Sequence, residues 1–153
     1  MIKNIATPSA RFIAWLAIQN RLSTKDRVGK WMEIADANCV MCSRANESVQ
    51  HLLYDCPYAQ DIRSRLSSFL PHKLDSTSFS KEIVKMNNLN KKKTDRAKLI
   101  VGIWIEMIYN LWMQRNRKIF DSYSCNRLDV VKDIVFRVAG RVNDRMRDLL
   151  VTR

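Results

Sequence analysis

Apolar residues recur at intervals of three and four along much of this chain, which is the spacing of helices that bury one face. Near the start, Thr7 and Pro8 are typical of an N-cap and a first helical position. Phe12, Trp15 and Leu16 follow at helical spacing. The pattern therefore predicts a first helix that begins near Pro8 and buries these three side chains.

A second helix is predicted from Thr24, with Val28, Trp31 and Met32 on its apolar face. Its early acidic residue, Asp26, suits the positive end of a helix dipole.

A third helix is predicted after Pro57, where Ile62, Leu66 and Phe69 recur at helical spacing until Pro71. The polar text that follows, "PHKLDSTSFS" and then "NNLNKKKTDR", is typical of loops. The segment 71–94 is therefore predicted to be a linker.

The most apolar helix is predicted over 95–120, with Thr94 as its N-cap and apolar residues around well over half of its circumference. A further helix is predicted over 127–150 with Asn126 as its N-cap, and Arg145 interrupts its apolar pattern. The two helices predict an antiparallel hairpin, and a homodimer through the same surface is the alternative way to bury it.

The composition indicates a folded helical protein. Of 153 residues, 46% are hydrophobic and 27% are charged, and three glycines with three prolines leave few turn signals. The longest apolar run contains Glu106 and is shorter than the roughly 20 residues of a membrane span. We therefore expect a soluble protein that does not insert into a membrane.

The formal net charge of +12 indicates an acidic partner, with nucleic acid as the first choice and an anionic membrane surface as the second. Residues 91–153 carry the larger part of this excess. Individual cations can also serve only to solvate helix faces.

Candidate metal chemistry lies in "CVMCSRANESVQHLLYDC", residues 39–56, which holds three of the four cysteines and one of the two histidines. The spacing is C-x2-C, eight residues, then H-x4-C. A tetrahedral ion without geometric demands of its own fits such a set, and Zn2+ is the natural occupant. One structural zinc is therefore predicted, held by Cys39, Cys42, His51 and Cys56. Unrelated buried cysteines beside a core histidine are the alternative.

The surroundings of this site can also be predicted. Three thiolates and a neutral imidazole would give the site about one negative charge, which Arg44 or Lys30 could offset. The imidazole nitrogen remote from the metal should donate to an acceptor, and Glu47 is the predicted partner. The remaining cysteine, Cys125, is expected to be a small or idle side chain.

The predicted fold class is mainly α: a small zinc-stabilised helical domain with CCHC ligands over 1–70, the linker 71–94, and a basic helical hairpin over 95–153.

Residues 11–62 resemble a known family, the zinc-binding domain associated with plant LINE-type (non-LTR) retrotransposon reverse transcriptases. The resemblance is carried by "RFIAWLAIQNRLSTKDRVGKW", "CVMC" and "ESVQHLLYDCPYAQDI" in this order. The later "IYNLWMQRNRKIF" is similar to a W-x-x-RN-x-x-F element that often follows in such reading frames.

The chain also departs from the family pattern. Arg63 stands where the family usually has a tryptophan. No Y-x-D-D type pair is present, and the 15 Asp and Glu residues form no cluster in the sequence that would hold two catalytic metal ions. The resemblance therefore implies a non-enzymatic zinc module, a stand-alone derivative without the polymerase.

Two functions are predicted. The first is binding of nucleic acid, RNA rather than DNA, with little base specificity and strong salt dependence. Trp31, Tyr54 and Tyr58 could stack on bases or belong to the core. The cations expected to contact phosphates are Arg21, Lys25, Arg27, Lys30, Arg44, Arg63, Arg65, Lys91, Lys92, Lys93, Arg115, Arg117 and Lys118.

The second predicted function is that of a host-recruited structural or adaptor subunit of a larger ribonucleoprotein complex. Its protein contacts, or self-association, would use the apolar helix 95–120. The expected location is the nucleus or cytoplasm. The mitochondrion is the alternative, because the opening is basic and amphipathic and its first acidic residue is Asp26.

Overall fold

The computed structural model describes residues 5–70, 74 and 78–150. Within this part the chain is mainly helical, and its only extended pairing is an isolated bridge between Asn38 and Asn46. The predicted mainly α fold, with a cysteine and histidine cluster ahead of a long helix, is confirmed. The α-helices are α1 (Pro8–Ile18), α2 (Lys25–Val28), α3 (Pro57–Ser67), α4 (Phe79–Asn90), α5 (Asp95–Phe120), α6 (Arg127–Ala139) and α7 (Asp144–Asp148).

Helix starts follow local capping chemistry. The side chains of Thr7, Thr94 and Asn126 each accept a hydrogen bond from a backbone N–H in the first turn of the helix that follows. Ser78 and Asn143 do the same for α4 and α7. Because each cap satisfies an otherwise unpaired N–H, the first turn is fixed within a few residues of sequence.

The long helix α5 is the centre of the fold and packs against α1, α4 and α6. Leu99, Ile103, Met107, Ile108 and Leu111 are each at most 1% exposed. The chain therefore buries most of this apolar surface itself. A homodimer is not needed to cover α5, and self-association through this helix stays a prediction. Even so, neither α5 nor any other helix in the described residues is long and apolar enough to cross a membrane.

The first helix buries a different face from the predicted one. Ala10, Ala14 and Ala17 are at most 3% exposed, whereas Phe12 and Trp15 are 58% and 48% exposed. Small side chains allow α1 to lie close against α5, since the distance between packed helices depends on the side chains at the contact. The prediction that Phe12 and Trp15 are buried is wrong. The alanines and the large apolar residues both recur at helical spacing, so the spacing alone does not show which of the two faces is buried.

The second helix is shorter than predicted. It ends at Val28, and Gly29 follows as its C-terminal cap. Trp31 and Met32, predicted to be on its apolar face, are 78% and 62% exposed. Glycine is unfavourable inside a helix, which accounts for the early end.

The predicted linker 71–94 contains helix α4, which packs on α5. Residues 71–73 and 75–77 of this segment lie outside the described part of the chain. Phe79 and Met86 of α4 are 5% and 3% exposed and belong to the same hydrophobic cluster as the residues of α3 and α5. The division of the chain at these points stays a prediction, but one apolar cluster runs through its two predicted domains.

The hairpin partner of α5 is interrupted. Helix α6 packs on α5, ends at Ala139 with Gly140 as its cap, and is followed by the separate short helix α7. Arg145, which interrupts the apolar pattern, is exposed and pairs with Asp95 at 2.7 Å. The predicted single helix over 127–150 is therefore two helices.

Candidate metal centre

The first two cysteines lie on a tight loop. The backbone N–H of Cys39 donates to the carbonyl of Ala45 at 2.7 Å, and that of Ser43 donates to the carbonyl of Cys39 at 2.7 Å. Ser43 has a φ of 57°, in the left-handed region, which turns the chain back on itself. The loop thereby brings Cys39 and Cys42 to one side of the backbone.

The other two candidate ligands flank a wide helical turn over His51–Asp55. The backbone N–H of Cys56 donates to the carbonyl of His51 at 2.7 Å, and the N–H of His51 donates to Oγ of Ser48 at 3.0 Å. Hydrogen bonding from residue i to i+5 is rare and occurs mostly at functional sites. Residues five apart lie on the same side of such a turn. The wide turn therefore explains how the H-x4-C spacing places His51 and Cys56 together.

The four candidate ligand atoms form one compact cluster. Cys42 Sγ lies 3.2 Å from His51 Nε2, Cys39 Sγ lies 3.9 Å from Cys56 Sγ, and all four atoms are within 4.8 Å of one another. Tetrahedral zinc, with Zn–S near 2.3 Å, requires ligand separations of roughly 3.5–3.8 Å. The four side chains therefore fit a zinc ion with small adjustments.

Burial and charge in the cluster agree with a structural site. Cys39 and Cys56 are at most 1% exposed, and His51 is 9% exposed. The hydrogen bond between the Cys39 and Cys56 sulfurs lowers the pKa of Cys39 to about 5, against the effect of burial. The same pairing, followed by burial, raises the pKa of Cys56. Zinc binding requires thiolates, so a bound cation would displace the protons of these thiols.

Glu47 is not the hydrogen-bond acceptor of His51 in this structure, contrary to the prediction. Its two carboxylate oxygens accept hydrogen bonds from Nε and Nη2 of Arg115 at 2.9 and 2.7 Å. The backbone N–H of Lys25 also donates to it at 2.7 Å. Glu47 is 1% exposed and Arg115 is 6% exposed. Because a buried charge needs a partner, this carboxylate is committed to α5 and to the start of α2.

Arg63 and Arg115 are the two predicted nucleic-acid contacts that the fold removes from the surface. Arg63 is 6% exposed and donates to both carboxylate oxygens of Glu82 at 3.1 and 2.9 Å and to the carbonyl of Leu53 at 2.9 Å. Trp104 Nε1 donates to the same Glu82 at 2.6 Å. The prediction for these two arginines is wrong, because both are paired with buried carboxylates and cannot reach a phosphate.

The other predicted cations are exposed or half-exposed, but they do not form one patch. Helix α5 has 26 residues, so its ends are roughly 39 Å apart at about 1.5 Å per residue. Lys91, Lys92 and Lys93 precede its first turn, whereas Arg117 and Lys118 lie in its last turn. The remaining exposed or half-exposed members are Arg21, Lys25, Arg27, Lys30, Arg44 and Arg65.

Two of these cations meet at a pocket beside the zinc ligands. The pocket has a volume of about 460 Å³ and is lined by Arg65 of α3, Lys118 of α5, Met41 of the ligand loop and residues 123–126. Arg127, at the start of α6, also lines it and was not predicted. A single arginine at a helix start gives no sequence signal, because only the packing of α6 brings it to α3. We call this the zinc-end pocket.

Asp61 lies between two cations of the zinc-end pocket. It accepts hydrogen bonds from Arg65 Nε at 3.0 Å and from Arg127 Nη1 at 3.2 Å. Burial raises the pKa of Asp61, but the hydrogen bonds and charges of the two arginines outweigh it and hold this pKa below its ordinary value. The carboxylate is therefore ionised at neutral pH and competes with outside anions for both arginines.

The three aromatic residues considered for base stacking differ in exposure. Trp31 is 78% exposed, whereas Tyr58 is 8% exposed and lies under the guanidinium of Arg127 at 5.1 Å. Tyr54 is half-buried under the guanidinium of Arg63 at 4.6 Å. Trp31 is thus the one with an open ring.

Comparison with known families agrees with the metal cluster. Residues 1–62 match the family model described as zinc-binding in reverse transcriptase, and this span contains all four cluster residues. No curated protein and no solved structure matches the chain. The match and the geometry together support a zinc-binding module with one structural Zn2+ at Cys39, Cys42, His51 and Cys56.

Proposed function

We propose that this chain is a non-catalytic zinc module that binds nucleic acid, with RNA preferred over DNA. The observation that carries the proposal is the meeting of Arg65, Lys118 and Arg127 in a concave surface next to the zinc ligands. In this arrangement the zinc holds the ligand loop, and Met41 of that loop lines the surface that receives phosphates. The resemblance to reverse-transcriptase zinc domains supports descent from a plant LINE-type retroelement, and the location that we propose is the nucleus or cytoplasm.

The charge of this surface favours phosphates over neutral ligands. Lys118 makes no ion pair within the described residues, and Arg65 and Arg127 share the single carboxylate of Asp61. The zinc-end pocket thus keeps an excess of positive charge. Binding through such contacts releases counterions and is therefore strongly salt-dependent.

Single-stranded targets are favoured over duplexes. Trp31 is 78% exposed and Tyr123 is 52% exposed, so both offer an aromatic face to an unpaired base. The described residues place no long helix free of neighbours for insertion into a major groove, since α5 is covered by α1, α4 and α6.

The test is fluorescence anisotropy with the zinc-loaded full chain and labelled RNA, DNA and duplex of one sequence, at several salt concentrations. We expect single-stranded RNA to bind best and its affinity to fall steeply with salt. Lys118→Gln should reduce the slope of log K against log salt by about 0.7, the value for one phosphate contact on a single strand.

The matched control is Lys132→Gln, which removes the same charge from an exposed position on α6 away from the zinc-end pocket. It should leave the slope unchanged. Absence of binding at low salt, or equal effects of the two variants, would contradict the proposal.

A second candidate function is that of an adaptor within a larger ribonucleoprotein. Helix α5 no longer supports it, but exposed apolar side chains of α1 and α4 do. Phe12, Trp15 and Ile18 are 58%, 48% and 45% exposed, and Val84 is 60% exposed. Trp15, Ile18 and Val84 also line a groove of about 420 Å³ between these helices.

This adaptor function predicts association through the α1 and α4 surface. Gel filtration with light scattering should then show oligomers that Trp15→Ser converts to monomers. A monomer that binds RNA would favour the first function instead.

A further inference from the structure

The zinc-end pocket is lined by two largely buried residues whose polar groups have no protein partner within the described residues. Gln114 of α5 is 5% exposed and Tyr58 of α3 is 8% exposed, and both line the pocket. Within the described residues, neither the Gln114 amide nor the Tyr58 hydroxyl makes a hydrogen bond. Neither residue has one of the fully buried side-chain atoms that lack a partner, so both present their polar atoms to the open pocket, where a ligand can pair with them. These two groups therefore point to a ligand.

The two unpartnered groups offer complementary hydrogen bonding. An amide presents an acceptor oxygen and two donor hydrogens, which is the pattern that pairs with the edge of a nucleobase. The Tyr58 hydroxyl can donate one hydrogen bond and accept another. Together they can bind a flat group that has both donors and acceptors on its edge.

The other lining groups suit an anion. Lys118, Arg65 and Arg127 stand around the same pocket, and helix α6 begins there with the positive end of its dipole. Tyr123 contributes a half-exposed aromatic ring. A volume of about 460 Å³ lies within the range of about 300–1,000 Å³ that small-molecule sites have.

We propose that the zinc-end pocket binds one unpaired nucleotide, with its base edge on Gln114 and Tyr58 and its phosphate on Lys118, Arg65 and Arg127. The inference rests on the proposed function and adds to it, because it assigns hydrogen bonds to a base edge where only stacking and phosphate contacts were proposed. A strand that crosses the zinc end would place one nucleotide in this pocket.

A substitution of Asp61 distinguishes nucleotide binding by Arg65 and Arg127 from a purely structural role of these two arginines. Asp61 accepts one hydrogen bond from Arg65 and one from Arg127, and its negative charge opposes an incoming phosphate. Asp61→Asn should therefore strengthen nucleotide binding several-fold. If the arginines serve only to join α3 to α6, this variant should not bind nucleotide more tightly.

The direct experiment is NMR titration of the isotope-labelled, zinc-loaded full chain with AMP, and separately with inorganic phosphate, at constant ionic strength. We expect saturable shifts of the Gln114 side-chain amide with AMP and weaker ones with phosphate. Tyr58→Phe combined with Gln114→Leu should weaken AMP binding by about tenfold, the effect of losing two modest hydrogen bonds. Lys132→Gln should change nothing.

The variants are suited to this purpose because they remove groups that have no protein partner, so folding should be preserved. Near-ultraviolet circular dichroism checks this. If the double variant does not fold, the Asp61→Asn titration decides alone.

Three results would overturn the inference: no saturable shift at Gln114, equal shifts with phosphate and AMP, or weaker binding by Asp61→Asn. Fluorescence anisotropy with the RNA strand distinguishes failure of the nucleotide pocket from failure of the proposed function. RNA binding that Tyr58→Phe/Gln114→Leu leaves intact, without AMP binding, overturns the nucleotide pocket alone. AMP binding without RNA binding overturns the proposed function alone.

Discussion

Arg115 of α5 donates two hydrogen bonds to the carboxylate of Glu47, which lies 68 residues earlier, between the second and third zinc ligands. The pair is almost fully buried and also touches the start of α2 through the backbone N–H of Lys25. The family match ends at residue 62. The metal segment is therefore supported by a charge from outside the matched region.

Glu47→Gln should destabilise the protein by about 3–5 kcal/mol, because it leaves the Arg115 guanidinium buried without a counter-charge. Adding Arg115→Met should cost less than the sum of the single changes, since no charge then stays unpaired. Urea unfolding followed by circular dichroism measures both. Asp133→Asn, which breaks the exposed pair with Arg137, is the control and should cost less than about 1 kcal/mol. Additive single losses would show that the pair is not coupled.

Cys42→Ser should abolish zinc binding and unfold the region around the ligand loop. Structural zinc contributes on the order of 10 kcal/mol to such sites, which exceeds the stability of most domains of this size. Elemental analysis and thermal melting provide the measurements. Cys125→Ser is the matched control, because Cys125 is outside the ligand cluster. This variant should keep one equivalent of zinc. Less than about half an equivalent in the unchanged protein would contradict the metal assignment.

A fragment of residues 1–70 should bind zinc but fail to melt cooperatively. It retains all four ligands, yet it lacks Arg115, Glu82 and the α5 surface that covers α1. Isolated short helices are marginal without tertiary packing. Calorimetry of 1–70 beside 1–150, each with zinc, tests this. A sharp transition for 1–70 close to that of 1–150 would show that the matched region folds alone.

Gly102→Ala should destabilise the protein by about 1–3 kcal/mol through overpacking. A Cβ at this position of α5 would overlap Cγ2 of Ile5, which packs directly against the helix backbone. Ile5→Ala removes the overlapping methyl group, so the double variant should lose less than the sum of the two single losses. Chemical denaturation of all four proteins gives the coupling. A neutral Gly102→Ala would mean that Ile5 can move aside freely.

Tyr58 should make stability fall at high pH. Burial raises its pKa to about 12, whereas an unfolded tyrosine ionises near pH 10. The folded state thus keeps the proton longer, so this contribution is complete below about pH 10 and is lost as pH rises towards 12. Denaturation at pH 8 and pH 11 should show a smaller loss for Tyr58→Phe than for the unchanged protein. An identical loss in both would contradict the assigned pKa.

Much of the candidate site could be predicted because its signals are local. The four ligands fall within eighteen residues, and their spacing already matches a loop followed by a wide helical turn. The same holds for the helix starts at Thr7, Thr94 and Asn126, where the cap and its N–H partner are at most three residues apart. The sequence alone therefore determined the metal, its ligands and the helical class.

Tertiary structure decided which charges face the solvent. Arg63 and Arg115 have the same chemistry as the exposed arginines, but Glu82 and Glu47 draw them into the interior from 19 and 68 residues away. Likewise, the alanine face of α1 was chosen over its aromatic face because α5 lies close against it. Whether a charged side chain or an apolar helix face is buried depends on the partner that packs against it. The position of that partner is known only once the chain has folded.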